Sequence, residues 1–138
     1  MRKSVVIDAS IALAWVHPSQ ATKETAELLT DVENGTKVVV PSLWFLETAN
    51  ALLVLERRKK LTKEERTKAL ARLAALNATC DELGYTAVFT RVSALASKHG
   101  LSVYDACYLE LSTRRNLPLA SLDTALLSAA TREAAKLP

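Results

Sequence analysis

The chain is poor in the residues that mark specialised protein classes. Of its 138 residues, three are glycine and four are proline, which excludes collagen-like, linker-like and low-complexity architectures. Its two cysteines, Cys80 and Cys107, stand far apart and outside any CxxC or His-rich cluster. A zinc site therefore lacks its ligand spacing, and the sequence predicts two reduced thiols in the core of a cytosolic protein. The two histidines, His17 and His99, form no local Ser–His–Asp pattern. His17 is expected in a loop beside Pro18, and His99 as a cation at a helix end. Long apolar runs are missing too. The longest nearly uncharged stretch, Val38 to Leu55, is interrupted by Pro41, Ser42, Glu47 and Asn50, so no membrane span is expected. The basic start MRKSVVIDAS loses its apolar run at Asp8 and predicts no signal peptide. The expectation is a cytoplasmic protein.

Hydrophobic residues make up 49% and charged residues 24% of the chain, the balance of a soluble globular protein and not of a disordered one. The length suits one domain, residues 1–138, and is too short for a large barrel enzyme. Hydrophobic periodicity alternates between short strand-like runs and helical stripes. Ser4–Ile7 and Lys37–Val40 are predicted strands, and Leu117–Leu122 a third with Pro118 at its start. A short segment near Ala78–Asp81 is a fourth candidate. Helices are expected over 11–16, over about 21–32 with Gly35 as terminator, and over 43–59 as a long buried element. Thr62 with Glu65 forms a capping box that opens another helix, antiparallel to its predecessor. Tyr85, Val88, Phe89, Val92, Leu95 and Ala96 form an apolar stripe closed by His99 and Gly100. Tyr104, Cys107, Tyr108 and Leu111 mark the next helix, and Ala125 to Ala130 the last. Strands separated by helices imply an α/β fold, a parallel sheet with helices on both faces. Functional groups of such sheets collect at the carboxyl ends of the strands.

Four acids stand apart from the polar helix faces. Asp8 ends the apolar run VVID, and Asp123 ends LASLD; each either caps the helix that follows or serves a site. Asp105 follows Ser102 in an S-x-x-D capping pattern. Glu47 is the sole charge between Val38 and Leu55, with no Lys or Arg within a helical turn and Asn50 three residues on. A carboxylate buried without a partner costs several kcal/mol or becomes protonated. The α/β topology brings all four toward one rim, where they repel unless protons or a cation neutralise them. Oxygen ligands suit a hard divalent cation, Mg²⁺ or Mn²⁺, with Ser10 and Asn50 as neutral neighbours. Carboxylate-held cations of this kind act on phosphodiesters in nucleases and polymerases. Setting these four acids aside, the rest of the chain carries a net charge of about +7, which suits a polyanionic substrate. Arg57-Arg58-Lys59-Lys60 with Lys63 is one basic cluster and Arg114-Arg115 another; each also suits a solvated helix end. Trp15 and Trp44 have the rings to stack bases, but their apolar surroundings favour the core.

The segments VVIDASIALAWV, PSLWFLETANALL and LSVYDACYLELSTRRNLPLASLD, in this order, resemble the PIN-domain ribonuclease family, and most of all the VapC-type toxins of toxin–antitoxin pairs. The resemblance covers nearly the whole chain. It implies a three-layer α/β/α sandwich around a parallel sheet of four to five strands, the last of them placed after the segment AAKLP. It implies that Asp8, Glu47, Asp105 and Asp123 hold one or two Mg²⁺ or Mn²⁺ ions, with Ser121 nearby. It implies metal-dependent hydrolysis of RNA phosphodiester bonds, a homodimer, and neutralisation by a small cognate antitoxin. Two other readings within the fold are a non-catalytic binding module and a structure-selective DNA nuclease. A phosphoacceptor or dehalogenase-like phosphatase requires paired acids at the first strand, where this chain has Asp8-Ala9-Ser10.

Overall fold

A computed structural model describes residues 3–134. Four strands form one parallel sheet: β1 (Ser4–Ile7), β2 (Lys37–Pro41), β3 (Thr79–Asp81) and β4 (Leu119–Ala120), in the order β3-β2-β1-β4. Val5 lies opposite Val38 and Val6 opposite Leu119, while Val39 faces Thr79. The central strands are near-continuous Val and Ile runs because both faces of a parallel sheet are covered, and Val6, Ile7 and Val40 are fully buried. The fifth strand that the resemblance implies falls outside the described residues.

The helices are α1 (Ala9–Val16), α2 (Lys23–Glu33), α3 (Leu43–Arg57), α4 (Lys63–Ala74), α5 (Tyr85–Ala87), α6 (Ser93–His99), α7 (Val103–Arg115) and α8 (Thr124–Ala134), with a π-helical stretch, Val88–Val92, joining α5 to α6. Helices α1 to α4 pack among themselves over one face, and α7 packs on β1, β2 and β4. The result is the expected three-layer α/β/α arrangement. The Thr62 capping box forms as predicted, with Thr62 Oγ1 accepting from Glu65 N at 3.0 Å and Glu65 Oε1 accepting from Thr62 N at 2.8 Å. Trp15 and Trp44 are both core residues. Their indole N–H groups donate to the carbonyls of Thr25 and Asp8.

The structure corrects several expectations. The last strand is only Leu119–Ala120, because Ser121 and Leu122 turn away to bond the side chains of Asp8 and Ser10 at the start of α1. Helix α3 is not buried throughout: only Trp44, Thr48 and Leu52 are, since one face alone packs against α1, α4 and β2. The apolar stripe from Tyr85 to Ala96 is divided among α5, the π-helical stretch and α6. Val92 and Ala96 are buried, but Tyr85 and Phe89 are each 76% exposed and pack edge to face on each other. Neither cysteine is a core residue. Cys80 is exposed on β3, an edge strand, and Cys107 is half-buried. His99 is not simply a cation at a helix end: its ring is buried, with Nε2 2.5 Å from Glu133 and Nδ1 3.2 Å from Arg132 on α8.

Candidate active site

Asp8 follows β1 directly. Its extended backbone (φ −98°, ψ −176°) caps α1, with Oδ1 accepting from Ser10 N at 3.1 Å and Ile11 N at 3.4 Å. Ser10 Oγ donates to the same oxygen at 2.5 Å, and Ser121 Oγ donates to Oδ2. Both carboxylate oxygens of this residue, 7% exposed, are thus fixed. The two hydroxyls are fixed in turn: Ser10 Oγ accepts from Leu122 N and Ser121 Oγ from Asp123 N, each at 2.9 Å. Helix capping and a place at the rim, which the sequence presents as alternatives, coincide in one side chain.

Asp123 is exposed and caps α8, with Oδ1 accepting from Ala125 N at 2.9 Å and Leu126 N at 3.3 Å. Asp105 lies in the first turn of α7, where its backbone N–H donates to the capping Ser102 Oγ at 3.0 Å. Burial raises the Asp105 carboxyl above its ordinary range. The charges of Asp123 and Asp8 push it the same way, against a hydrogen bond from Ser102. Glu47, half-buried on α3, receives the Tyr108 hydroxyl at 2.6 Å on Oε1. Burial also raises the Glu47 carboxyl; the Tyr108 hydrogen bond opposes this, and the charges of Asp105 and Asp8 add to it. Burial, then the bond to Glu47, pushes the Tyr108 phenol up in turn.

The four acids therefore share one electrostatic neighbourhood at the carboxyl-end rim of the sheet. Among the described residues none is paired with Lys, Arg or His. A fifth acid, Asp81 at the end of β3, is the contrasting case: Arg114 reaches it at 2.6 Å and Arg115 at 3.4 Å. The four carboxylates feel one another's charge, yet no three His, Cys, Asp or Glu groups of the described residues stand close enough to form a ready-made ligand set. Each is turned toward its own hydroxyl or backbone donors. Asn50 is exposed on α3 and makes no side-chain hydrogen bond among the described residues.

The basic clusters do not line the acids. Arg114 is bound to Asp81 and to the buried Glu110. Arg57 to Lys60 close α3, roughly 16 Å along the helix from Glu47 at 1.5 Å per residue. Instead, exposed apolar residues precede three of the acids: Phe45 and Leu46 before Glu47, Val103 and Tyr104 before Asp105, and Leu122 before Asp123. Tyr108 is the site residue that sequence reasoning missed, because its spacing with Cys107 and Leu111 marks it as core. The available signal was Glu47, a lone acid in an apolar run that requires a buried donor.

The sequence profile of the PIN domain matches residues 5–132. The chain belongs to the PIN-domain family. It is 32% identical over 122 residues to Ribonuclease VapC3 of Pyrobaculum aerophilum, an overlap of 88% of this chain and 91% of that protein, which puts it with the VapC-type members. The crystal structure of PAE2754 from the same organism shares the fold, with a TM-score of 0.70, 21% identity, and coverage of 99% of this chain and 98% of that one. That of FitAcB from Neisseria gonorrhoeae gives a TM-score of 0.64 at 17% identity over 92% of this chain and 93% of that one. In this PIN-domain chain the segments that carry the resemblance are the ones that deliver the four acids to the rim.

Proposed function

We propose that this protein is a Mg²⁺- or Mn²⁺-dependent endoribonuclease, the toxin of a type II toxin–antitoxin pair. The observation that carries this reading is that Asp8, Glu47, Asp105 and Asp123 feel one another's charge, without a cationic partner among the described residues, on the rim where parallel sheets gather their functional groups. The kinship to a protein named Ribonuclease VapC3 supports RNA as the substrate and an antitoxin as the partner.

The donor set fits a hard divalent cation, all carboxylate oxygen with neutral hydroxyls behind it. Asp8, Glu47, Asp105 and Asp123 would hold one or two such ions. When bound, the cation supplies Lewis acidity toward a phosphodiester and relieves the mutual repulsion of the acids. The chain's own residues do the positioning. Ser10 and Ser121 hold Asp8 between β1 and β4, and the α8 cap holds Asp123.

The proposal includes a cytoplasmic homodimer. Among the described residues no helix is long and apolar enough to cross a membrane. The deciding experiment is cleavage of structured and single-stranded RNAs and DNAs with Mg²⁺, Mn²⁺ or EDTA, beside Asp8→Asn protein purified identically. Metal-dependent RNA cleavage lost in the variant is expected. Equal cleavage by both proteins overturns the assignment, preferential DNA cleavage identifies a DNA nuclease, and Mn²⁺ binding without cleavage identifies a non-catalytic binding module.

A further inference from the structure

We propose that Tyr108 is a positioning residue for this reaction: its buried hydroxyl holds Glu47 Oε1 and leaves Oε2 as the oxygen available to a cation. This rests on the reading of the acidic rim given above. Tyr108 lies on α7 one turn beyond Asp105 and is 1% exposed. Helix α7 thus contributes an acid to the rim and, from its buried side, the group that orients a second acid 61 residues away in the chain. Glu47 has no other side-chain donor among the described residues, and no cation pairs with it. A flexible carboxylate with one fixed oxygen keeps a defined direction; without that bond it is free to turn about its own side-chain torsions. A neutral donor also suits this place better than a cation, because a Lys or Arg would compete with the metal for the same charge. Groups that orient metal-binding carboxylates are commonly worth 10- to 100-fold in metal affinity.

The test is Mn²⁺ titration by calorimetry, well below the melting temperature, on wild type, Tyr108→Phe, Asp8→Asn and Arg114→Ala. Tyr108→Phe keeps the ring in its packing and removes only the donor. Arg114→Ala lowers stability through Glu110 and Asp81 without touching the four acids, so it reports what a merely structural loss does to binding. Tyr108→Phe should bind Mn²⁺ about tenfold more weakly, with cleavage recovering as Mn²⁺ is raised, while Arg114→Ala keeps the wild-type affinity. Wild-type affinity in Tyr108→Phe overturns the proposal, as does an equal loss in Arg114→Ala. Failure of wild type to bind Mn²⁺ in a manner that Asp8→Asn reduces overturns the reading of the rim itself, and this inference with it.

Discussion

The indole N–H of Trp44 donates to the backbone carbonyl of Asp8 at 3.3 Å, across 36 residues of chain. Trp44 is the second residue of α3, and Asp8 is the cap of α1. The bond therefore joins the start of the helix carrying Glu47 to the end of the central strand. Trp44 is 2% exposed and packs edge to face on Phe45 at 5.1 Å.

Trp44→Phe should cost about 1–2 kcal/mol, from one lost hydrogen bond plus the smaller ring. A thermal or urea melt reads this directly. No change in stability would show that the tie between the two segments is dispensable.

Asp8 serves both cap and cluster, so its substitutions should separate. Asp8→Ala leaves the donors of Ser10, Ile11 and Ser121 without their acceptor and should cost about 1–2 kcal/mol, as cap removals do. Asp8→Asn retains a good cap and removes one of the mutually repelling charges. Its melting temperature in EDTA should equal or exceed that of wild type while RNA cleavage is lost. A large fall in the Asn variant would assign Asp8 a structural role first.

The metal-free protein should respond to pH through Glu47 and Asp105. Both carboxyls are raised, chiefly by burial, so the folded state binds these protons more tightly than the unfolded chain, where Asp and Glu titrate near about 3.9 and 4.3. Their effect on stability is then most favourable below those values and is lost as pH rises through the raised folded ones. Glu133, lowered first by Lys98 and then by His99, acts in the opposite sense, so a difference measurement is needed. In EDTA, the Glu47→Gln, Asp105→Asn double variant should melt above wild type at pH 7, with the gap closing toward pH 4. A gap that widens on acidification would contradict the burial argument.

Arg114 illustrates a cation whose role is structural. It joins Glu110, whose side chain is 3% exposed, to Asp81 at the end of β3, and Arg91 is the second cation near Glu110 at 3.8 Å. Arg114→Ala should cost about 2–3 kcal/mol, because a buried carboxylate loses its main charged hydrogen-bond partner. RNA cleavage at low temperature should persist in this variant. Loss of RNA affinity with unchanged stability would instead return Arg114 to the substrate surface.

Much of the architecture was legible locally. The Val and Ile runs of β1 and β2, the Thr62–Glu65 capping box and the C′ position of Gly100 (φ 65°) depend on neighbours a few residues away. Asp8 and Asp123 were identifiable as acids at strand-to-helix junctions, and Glu47 as an acid without a local partner. What sequence could not supply was the set of contacts made across long separations. It did not show that Ser121 would close on Asp8, that Tyr108 would answer the need of Glu47, or that Arg114 and Arg115 would be spent on Asp81 rather than left for a substrate. Nor did helical spacing distinguish Val92 and Ala96 from Tyr85 and Phe89, since a periodic stripe says which face a residue shares and not whether anything covers it. Periodicity, caps and strand ends are short-range properties, so the sequence alone determined the elements and which acids were exceptional. The partners of each charge are set by where distant segments meet, and only the packed fold decides that.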